Sequence, residues 1–376
     1  MNRRYLTLLA LPLFSLNAFA GGIILSEVAT FDSLSSAGVG NALNRNDASA
    51  AMTSPAGLTA IEDSSYSLGV QYIDAAFDFR GEQSDLGAVK TKASSKQFAP
   101  SLAYAQRVSD STVLGASLHV DGGLGMEYSN GLSGLNIVDE MSISTINVNF
   151  AAGFQATENL SLGGALVVQH VVADLEATVA DQRLKADGSS TDLGFMLSAM
   201  YDLSDDTYIS ANYKSQVDHD YKLKPNHNLP RQAKETSWPA VVDLGISHNL
   251  TDQLNLKVRA AYEDWKAYGK ADDKTMENVY SLGVALSYTQ DSWTYQTGLR
   301  YDTEMMKKKN MTSDLSVGRQ WLFGLGAEKT LNNNHRIGLA YEYRDMGQPS
   351  VNYKLPEVDG EFTRNRLHFL SLSYAY

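Results

Sequence analysis

The strongest cluster of chemically active side chains in this sequence is Asp218-His219-Asp220, with His227 close behind it. A histidine between two carboxylates can bind a cation or transfer protons in acid–base catalysis. Cysteine is absent, so thiolate nucleophiles, thiolate metal sites and disulfides are excluded together. Because no nucleophile with a paired base is evident, we interpret the cluster as a solvated loop rim. We therefore predict a protein that is not an enzyme and has no cofactor or bound metal.

A second group consists of three basic residues, Lys257, Arg259 and Arg300. A guanidinium in a partly desolvated site pairs well with a carboxylate, so these residues could bind an acidic ligand. The alternative is a ladder of salt bridges within the protein. The acidic neighbours that would form such a ladder are Glu263, Asp302 and Glu342.

The elements that carry these cations alternate strictly between apolar and polar residues. In Leu254-Asn255-Leu256-Lys257-Val258-Arg259-Ala260, one parity is aliphatic and the other is polar or charged, so an extended strand presents them on opposite faces. The same rule predicts that Tyr280, Leu282, Val284, Leu286 and Tyr288 face outward and that Ser281, Gly283, Ala285 and Ser287 face inward. Aromatic rings at both ends of a lipid-facing stripe are typical of a transmembrane β-barrel.

The N-terminus has the features of a secretory signal peptide. Arg3 and Arg4 precede an apolar run, and Ala18-Phe19-Ala20 is a small-x-small cleavage site, so we predict cleavage before Gly21. A membrane-anchoring helix is the alternative, but the run is too short to span a bilayer. The expected location is the outer membrane of a Gram-negative bacterium, reached after Sec-type export.

Composition limits both the kind of membrane span and the kind of partner that this protein can have. After Gly21 no stretch approaches the roughly 20 apolar residues of a transmembrane helix, so any span must be built from strands. Loss of Arg3 and Arg4 changes the formal charge from -12 to -14, which argues against nucleic acid as a partner. We expect a monomer that contacts outer-membrane lipid, lipopolysaccharide and the outer-membrane assembly machinery.

Short polar turns recur six times, and longer polar segments lie between them. The turns are Ser109-Asp110-Ser111, Glu158-Asn159, Ser204-Asp205-Asp206, Thr251-Asp252-Gln253, Gln290-Asp291-Ser292 and Asn332-Asn333-Asn334. The longer segments, taken as outer loops, are 81–96, 129–141, 178–190, 222–233, 267–277, 303–317 and 347–362. Thirteen connections predict fourteen antiparallel strands, an even number that closes with both termini on the periplasmic side. The aromatic end of the last strand, Tyr374-Ala375-Tyr376, resembles the signal for barrel assembly.

Residues 21–62 do not alternate and are rich in glycine, alanine and serine. A segment of this length before the first strand is expected to fold inside the barrel as a hatch, or plug. The sequence thus predicts an all-β protein with a signal peptide at 1–20, a lumen hatch at 21–62 and a barrel at 63–376.

Three motifs in the hatch are similar to those of the FadL family, Gram-negative outer-membrane transporters for long-chain fatty acids and other hydrophobic compounds. They are Ser36-Ala37-Gly38-Val39-Gly40-Asn41-Ala42, Asp47-Ala48-Ser49-Ala50 and Ser54-Pro55-Ala56-Gly57-Leu58. The family normally carries Asn-Pro-Ala in the hatch, where this chain has Ser54, Pro55 and Ala56. The similarity extends through the barrel and covers essentially the whole mature chain.

The resemblance implies that ligand binds in a pocket beside the mature N-terminus and displaces it. By this resemblance Ile23, Ile24 and Leu25 form the mobile gate, for which the alternative is a disordered tail.

The resemblance also implies lateral release into the membrane, through a gap where the third strand kinks inward. Gly122, Gly123 and Gly125 lack the Cβ that limits backbone angles and mark this kink. The alternative is close packing of the hatch against these glycines.

The sequence therefore predicts passive transport of hydrophobic small molecules, such as fatty acids or other hydrocarbons. The alternative function is a hydrophilic-solute porin or a surface receptor or adhesin built on the same barrel.

Overall fold

The computed structural model describes residues 27–83, 87–129, 138–179, 182–226, 232–267, 276–306, 311, 317–354 and 357–376. The strands are β1 Ser64–Gln83, β2 Gly87–Ser109, β3 Thr112–Ser129, β4 Val138–Gln155, β5 Leu160–Val179, β6 Gln182–Ser204, β7 Thr207–Lys214, β8 Val217–Pro225, β9 Gln232–Trp238, β10 Val241–Asn249, β11 Leu254–Glu263, β12 Val279–Gln290, β13 Trp293–Asp302, β14 Gln320–Thr330, β15 Arg336–Asp345, β16 Ser350–Lys354 and β17 Glu357–Ala375. Two α-helices, α1 Phe31–Ser35 and α2 Ala50–Thr53, precede the strands, and 3-10 helices span Val39–Leu43, Pro55–Ala60, Trp265–Ala267 and Asn332–Asn334. Within these ranges, no helix has the length and apolar character needed to cross a membrane.

The strands form a closed antiparallel barrel, because β1 pairs with both β2 and β17. Three long strands are interrupted and appear as the pairs β7 and β8, β9 and β10, and β15 and β16. Pro239 and Pro349 lie in two of these interruptions, where proline cannot donate to the ladder. The described part of the chain thus contains fourteen barrel strands, and the prediction of a fourteen-stranded barrel is confirmed. We call the end with the six short turns the turn end and the opposite end the loop end.

The outer face of the barrel is a band of exposed apolar side chains. Leu282 is 62% exposed and Val284 41%, whereas Ser281 and Ala285, on the other parity of β12, are buried inside. Rings in contact border this band: Tyr66–Tyr374 and Trp293–Tyr295 toward the turn end, Tyr262–Tyr280 and Tyr301–Trp321 toward the loop end. The predicted inward and outward parities are confirmed, and the rings match the two girdles of a membrane barrel.

Several of the polar segments predicted as loops are strands instead. Most of 81–96 belongs to β1 and β2, most of 178–190 to β5 and β6, and much of 222–233 to the β8–β9 hairpin. In these stretches the buried parity is apolar, as with Val89 and Leu184, and the outer parity is polar. The strands extend beyond the lipid band, where the outer face meets water. The prediction of loops was wrong because the outer-facing residues of these strands are polar, as loop residues usually are.

We expect Val284→Arg to destabilise the barrel by about 2–4 kcal/mol, because it puts a charge in the middle of the lipid-facing stripe. Ser189→Arg, on the water-exposed part of β6, is the matched control and should change stability by no more than about 0.5 kcal/mol. Denaturant unfolding in lipid vesicles measures both. Equal effects would mean that β12 does not face hydrocarbon.

Candidate functional site: the lumen and an interruption of its wall at β3

Residues 27–63, here called the lumen segment, lie inside the barrel. Leu34, Val39 and Leu58 have no exposed surface. Helix α1 contacts β14 and β15, the 3-10 helix Val39–Leu43 contacts β10 and β11, and the 3-10 helix Pro55–Ala60 contacts β4 and β5. The segment therefore meets the inner wall on several sides and fills part of the lumen.

Ser54, Pro55 and Ala56 connect the lumen segment to the inner wall. Ser54 Oγ donates to Asn212 Oδ1 (2.7 Å), and the Ala56 N–H donates to Ser198 Oγ (2.6 Å). The wall has glycine where this motif comes closest: a Cβ at Gly163 would lie 2.2 Å from Ala56 N. The Ser54-Pro55-Ala56 motif thus lies where the backbone of the lumen segment comes close to the backbone of β5.

The first described residue, Glu27, is fully buried between two arginines. Its carboxylate forms ion pairs with Arg300 (2.7 Å) and with Arg344. Arg300 also pairs with Asp302 (3.0 Å), and Arg344 approaches Glu342 (3.4 Å). Of the three acidic residues in the predicted salt-bridge ladder, Asp302 and Glu342 are present in a ladder centred on Glu27, whereas Glu263 accepts a hydrogen bond from Trp265 Nε1 (2.6 Å).

The other two basic residues predicted to meet a ligand carboxylate also have protein partners. Lys257 Nζ lies 2.5 Å from Asp32 Oδ1, and Arg259 Nη2 lies 2.5 Å from Asp243 Oδ1. An acidic ligand at either residue would have to replace a protein carboxylate. Ligand binding by Lys257, Arg259 and Arg300 therefore stays a prediction.

The wall is interrupted at the predicted kink in β3. The β2–β3 ladder runs from Lys92 to Ser94 and resumes only at Ser101, so that 95–100 of β2 and 120–126 of β3 are not paired with each other, although β2 stays paired with β1 and β3 with β4. Gly122, Gly123 and Gly125 all lie in this interruption. Gly123 has φ +126°, which side chains with a Cβ rarely adopt, so the glycine is required there. The side chain of Gln97 approaches Gly125 across the opening.

A small cavity lies in the lumen beside the kink. Its volume is about 80 Å³, and its lining includes Val28, Met52, His119, Asp121, Lys214 and Trp238. Lys214 and Asp121 form an ion pair within this lining. The cavity is smaller than the roughly 150 Å³ that admits benzene in an apolar core, so a hydrocarbon would have to displace a neighbouring group.

The two ends of the lumen differ in polarity. Toward the loop end an apolar cluster fills the barrel, with rings such as Phe77, Phe362 and Trp265 and seven methionines. The methionines are Met126, Met141, Met276, Met305, Met306, Met311 and Met346. Methionine is flexible and polarizable, and it adapts to differently shaped apolar partners.

Toward the turn end lies a larger cavity of about 300 Å³ with a mostly polar lining. Asp32, Lys257, Glu328 and Arg336 contribute charged groups to it. Burial opposes ionisation of Asp32, but the ammonium of Lys257 and the amide of Gln296 outweigh it and hold the pKa of Asp32 below its usual value. The turn end of the lumen is thus a charged, water-compatible compartment.

The side chains of Asp218, His219 and Asp220 do not lie together, because successive residues of β8 point to opposite faces of the strand. His219 is fully buried, with Nδ1 2.8 Å from Asp192 Oδ2 and Nε2 2.9 Å from Gln169 Oε1. Asp218 and Asp220 face the opposite, exposed side. The prediction of a solvated rim is therefore wrong for His219, because successive strand residues point to opposite faces. The described ranges contain no group of three acidic or imidazole side chains suited to a metal, and His227 lies outside them.

Lys214, Asp121 and Trp238 were not among the predicted site residues. Lys214 shares the inward parity of Ser210 and Asn212, so alternation could have found it. Nothing in the sequence indicated that Trp238 would meet the kink in β3. The predicted gate, Ile23, Ile24 and Leu25, lies outside the described residues, and Val28 is the nearest described neighbour that lines the cavity.

A closed antiparallel barrel with a lipid-facing band and two aromatic girdles defines an outer-membrane β-barrel. The family described as "Outer membrane protein transport protein (OMPP1/FadL/TodX)" matches residues 11–375. The chain belongs to this family, whose members are transport channels of the Gram-negative outer membrane and not enzymes.

Individual relatives are distant but match over almost their whole length. "Outer membrane protein P1" of Haemophilus influenzae is 24% identical, over 87% of this chain and 86% of that protein. A "Long-chain fatty acid transport protein" of Salmonella typhi is 20% identical, over 91% and 92%. The crystal structure of a Pseudomonas aeruginosa FadL homologue superposes with a TM-score of 0.79 at 18% identity, covering 95% of this chain and 99% of that one. At this identity the superposition is evidence for the fold alone.

We expect Glu27→Ala to release the start of the lumen segment. The change leaves two buried guanidinium groups short of a carboxylate, which costs about 3–5 kcal/mol for a buried pair. Single-channel recordings in planar bilayers should show more frequent or larger open events. Glu62→Ala removes an exposed carboxylate of the same segment and should behave like the unmodified protein. Identical recordings for both variants would mean that Glu27 does not anchor the segment.

Proposed function

We propose that this protein transports hydrophobic small molecules passively across the outer membrane, by lumen binding, displacement of the N-terminal segment and lateral release. The observation that carries the proposal is a change in polarity along the lumen. The apolar loop end gives way to the charged turn-end cavity at about the level where the β2–β3 ladder is interrupted.

The polarity change favours a sideways route. A hydrocarbon loses about 0.8 kcal/mol per CH₂ group when it leaves an apolar site for water. The turn-end cavity, with Asp32 and Lys257 in its wall, is therefore an unfavourable path for it. The interruption in the wall leads instead toward the lipid band, and Phe98, 73% exposed, lies beside it on β2.

The small volume of the cavity at the kink supports gating by the N-terminus. Val28 belongs to its lining, and the apolar residues Ile23, Ile24 and Leu25 come just before Val28 in the chain. A ligand that displaces this apolar stretch gains volume and replaces one set of apolar contacts with another. In this proposal residues 21–62 are the hatch, and Ser54, Pro55 and Ala56 anchor its C-terminal part to the wall.

The ligand class is hydrophobic molecules, including fatty acids. One relative is named a long-chain fatty acid transport protein, and the methionines at the loop end suit ligands of varied shape. Lys257, Arg259 and Arg300 are the proposed partners of an acidic headgroup, by exchange with Asp32, Asp243 and Glu27.

Reconstituted liposomes test the proposal directly. A panel of fatty acids, alkanes and monoaromatics should enter protein-containing vesicles faster than empty ones, and sugars should cause no osmotic swelling. Sugar-driven swelling without hydrophobic uptake would support the hydrophilic porin and contradict our proposal.

The lateral route has its own test, which exploits the absence of native cysteine. In the double variant Gln97→Cys/Gly125→Cys, a short bifunctional thiol reagent should staple β2 to β3 across the interruption and reduce hydrophobic uptake at least about tenfold, because the exit closes. The control, Ser94→Cys/Glu127→Cys, places the same staple where the ladder is already paired and should leave uptake unchanged. Undiminished uptake in the stapled Gln97/Gly125 variant would rule out exit between β2 and β3.

A further inference from the structure

Strand β3 contains one residue more than its neighbours. Against β4, Val120 pairs with Ile146 and Gly122 with Thr145, so Asp121 has no partner between them. A single extra residue is a β-bulge, which bends its strand and re-aims a side chain. Burial changes parity at this point, because Ser117 and His119 face inward before the bulge whereas Met126 and Tyr128 face inward after it.

The side chain of the bulged residue is held across the lumen by a residue of β7. Asp121 Oδ2 forms an ion pair with Lys214 Nζ of β7, and both side chains are mostly buried, with 11% and 21% exposed. This contact holds the side chain of the bulged residue inside the barrel, beside the small cavity.

A second contact supports the next residue of the bend. Gly122 packs against the indole of Trp238, whose Nε1 would lie 2.9 Å from a Cβ at Gly122. Thr145 of β4 donates from Oγ1 to the Gly122 carbonyl (3.1 Å). Trp238 is 1% exposed, so the bend in β3 rests on a rigid, fully packed ring.

Both contacts come from places where two other barrel strands are interrupted. Lys214 is the last residue of β7 before the break to β8, and Trp238 is the last residue of β9 before the break to β10. The β8–β9 hairpin, which continues these strands at the loop end, is therefore connected to the bend in β3 through both residues.

We propose that Lys214 and Trp238 are positioning residues that hold the Asp121 bulge in the lumen and thereby keep the β2–β3 ladder open. Backbone groups that face lipid without partners are costly, so the ladder closes once the two contacts are removed. The consequence for transport rests on the proposed function, but the opening of the ladder does not.

Three variants of the full-length protein test this proposal. Asp121→Asn/Lys214→Met removes the ion pair without leaving a buried charge, Trp238→Leu removes the ring, and deletion of Asp121 restores equal strand lengths. Hydrogen–deuterium exchange is measured at the β3-facing amides of residues 95–99. We expect exchange there to slow at least tenfold in the deletion variant and severalfold in the other two, because the ladder closes.

The control is Arg45→Gln/Asp202→Asn, which removes an ion pair of similar type (2.8 Å) near the turn end. It should leave exchange at residues 95–99 unchanged, and heat-modifiable migration on a gel verifies that every variant is folded. Unchanged exchange in the folded test variants would overturn the proposal, as would equal slowing in the control.

Uptake by liposomes, measured on the same variants, separates this proposal from the proposed function. Slowed exchange with at least tenfold lower hydrophobic uptake supports both. Slowed exchange with normal uptake supports the positioning role and contradicts lateral release.

Discussion

In hydrocarbon no water is present to bond to the backbone, so every N–H and C=O in the lipid band must find a partner in the protein. Pairing of β1 with both β2 and β17 meets this requirement by closing the sheet. Closure fixes the remaining geometry, because it divides each strand into a lipid face and a lumen face. The lumen residues then form an interior that need not be apolar, and charge can collect there.

That charge positions the lumen segment. Glu27 lies between Arg300 and Arg344, and Asp32 lies against Lys257. A buried charge is stable only with a close partner, so these pairs determine where the segment can sit. The loop end of the same lumen is apolar. A ligand in the barrel therefore meets an apolar region at one end and a charged region at the other.

An interrupted ladder leaves backbone N–H and C=O groups of a membrane barrel without interstrand partners, which the lipid environment disfavours. At β3 other contacts surround the interruption: the strand has a bulge at Asp121, Gln97 approaches Gly125 across the opening, and Trp238 packs against Gly122. In our proposal, Lys214 and Trp238 maintain this unpaired strand edge. The interruption lies beside the small cavity and between the apolar and polar parts of the lumen, where we propose that a hydrophobic ligand leaves the barrel.

The sequence alone determined the number of barrel strands and the parity of their lipid-facing parts, because lipid outside and water inside impose a period of two there. It also indicated the kink, since three glycines fall within 122–125. It did not determine that polar stretches such as 178–190 are strands, because beyond the lipid band the outer face meets water and the apolar parity turns inward. Nor did it determine the partners of Glu27, Asp121 and His219. Those contacts join residues far apart in the chain, and only the closed barrel brings them together, because the ring of strands sets which inward side chains face each other.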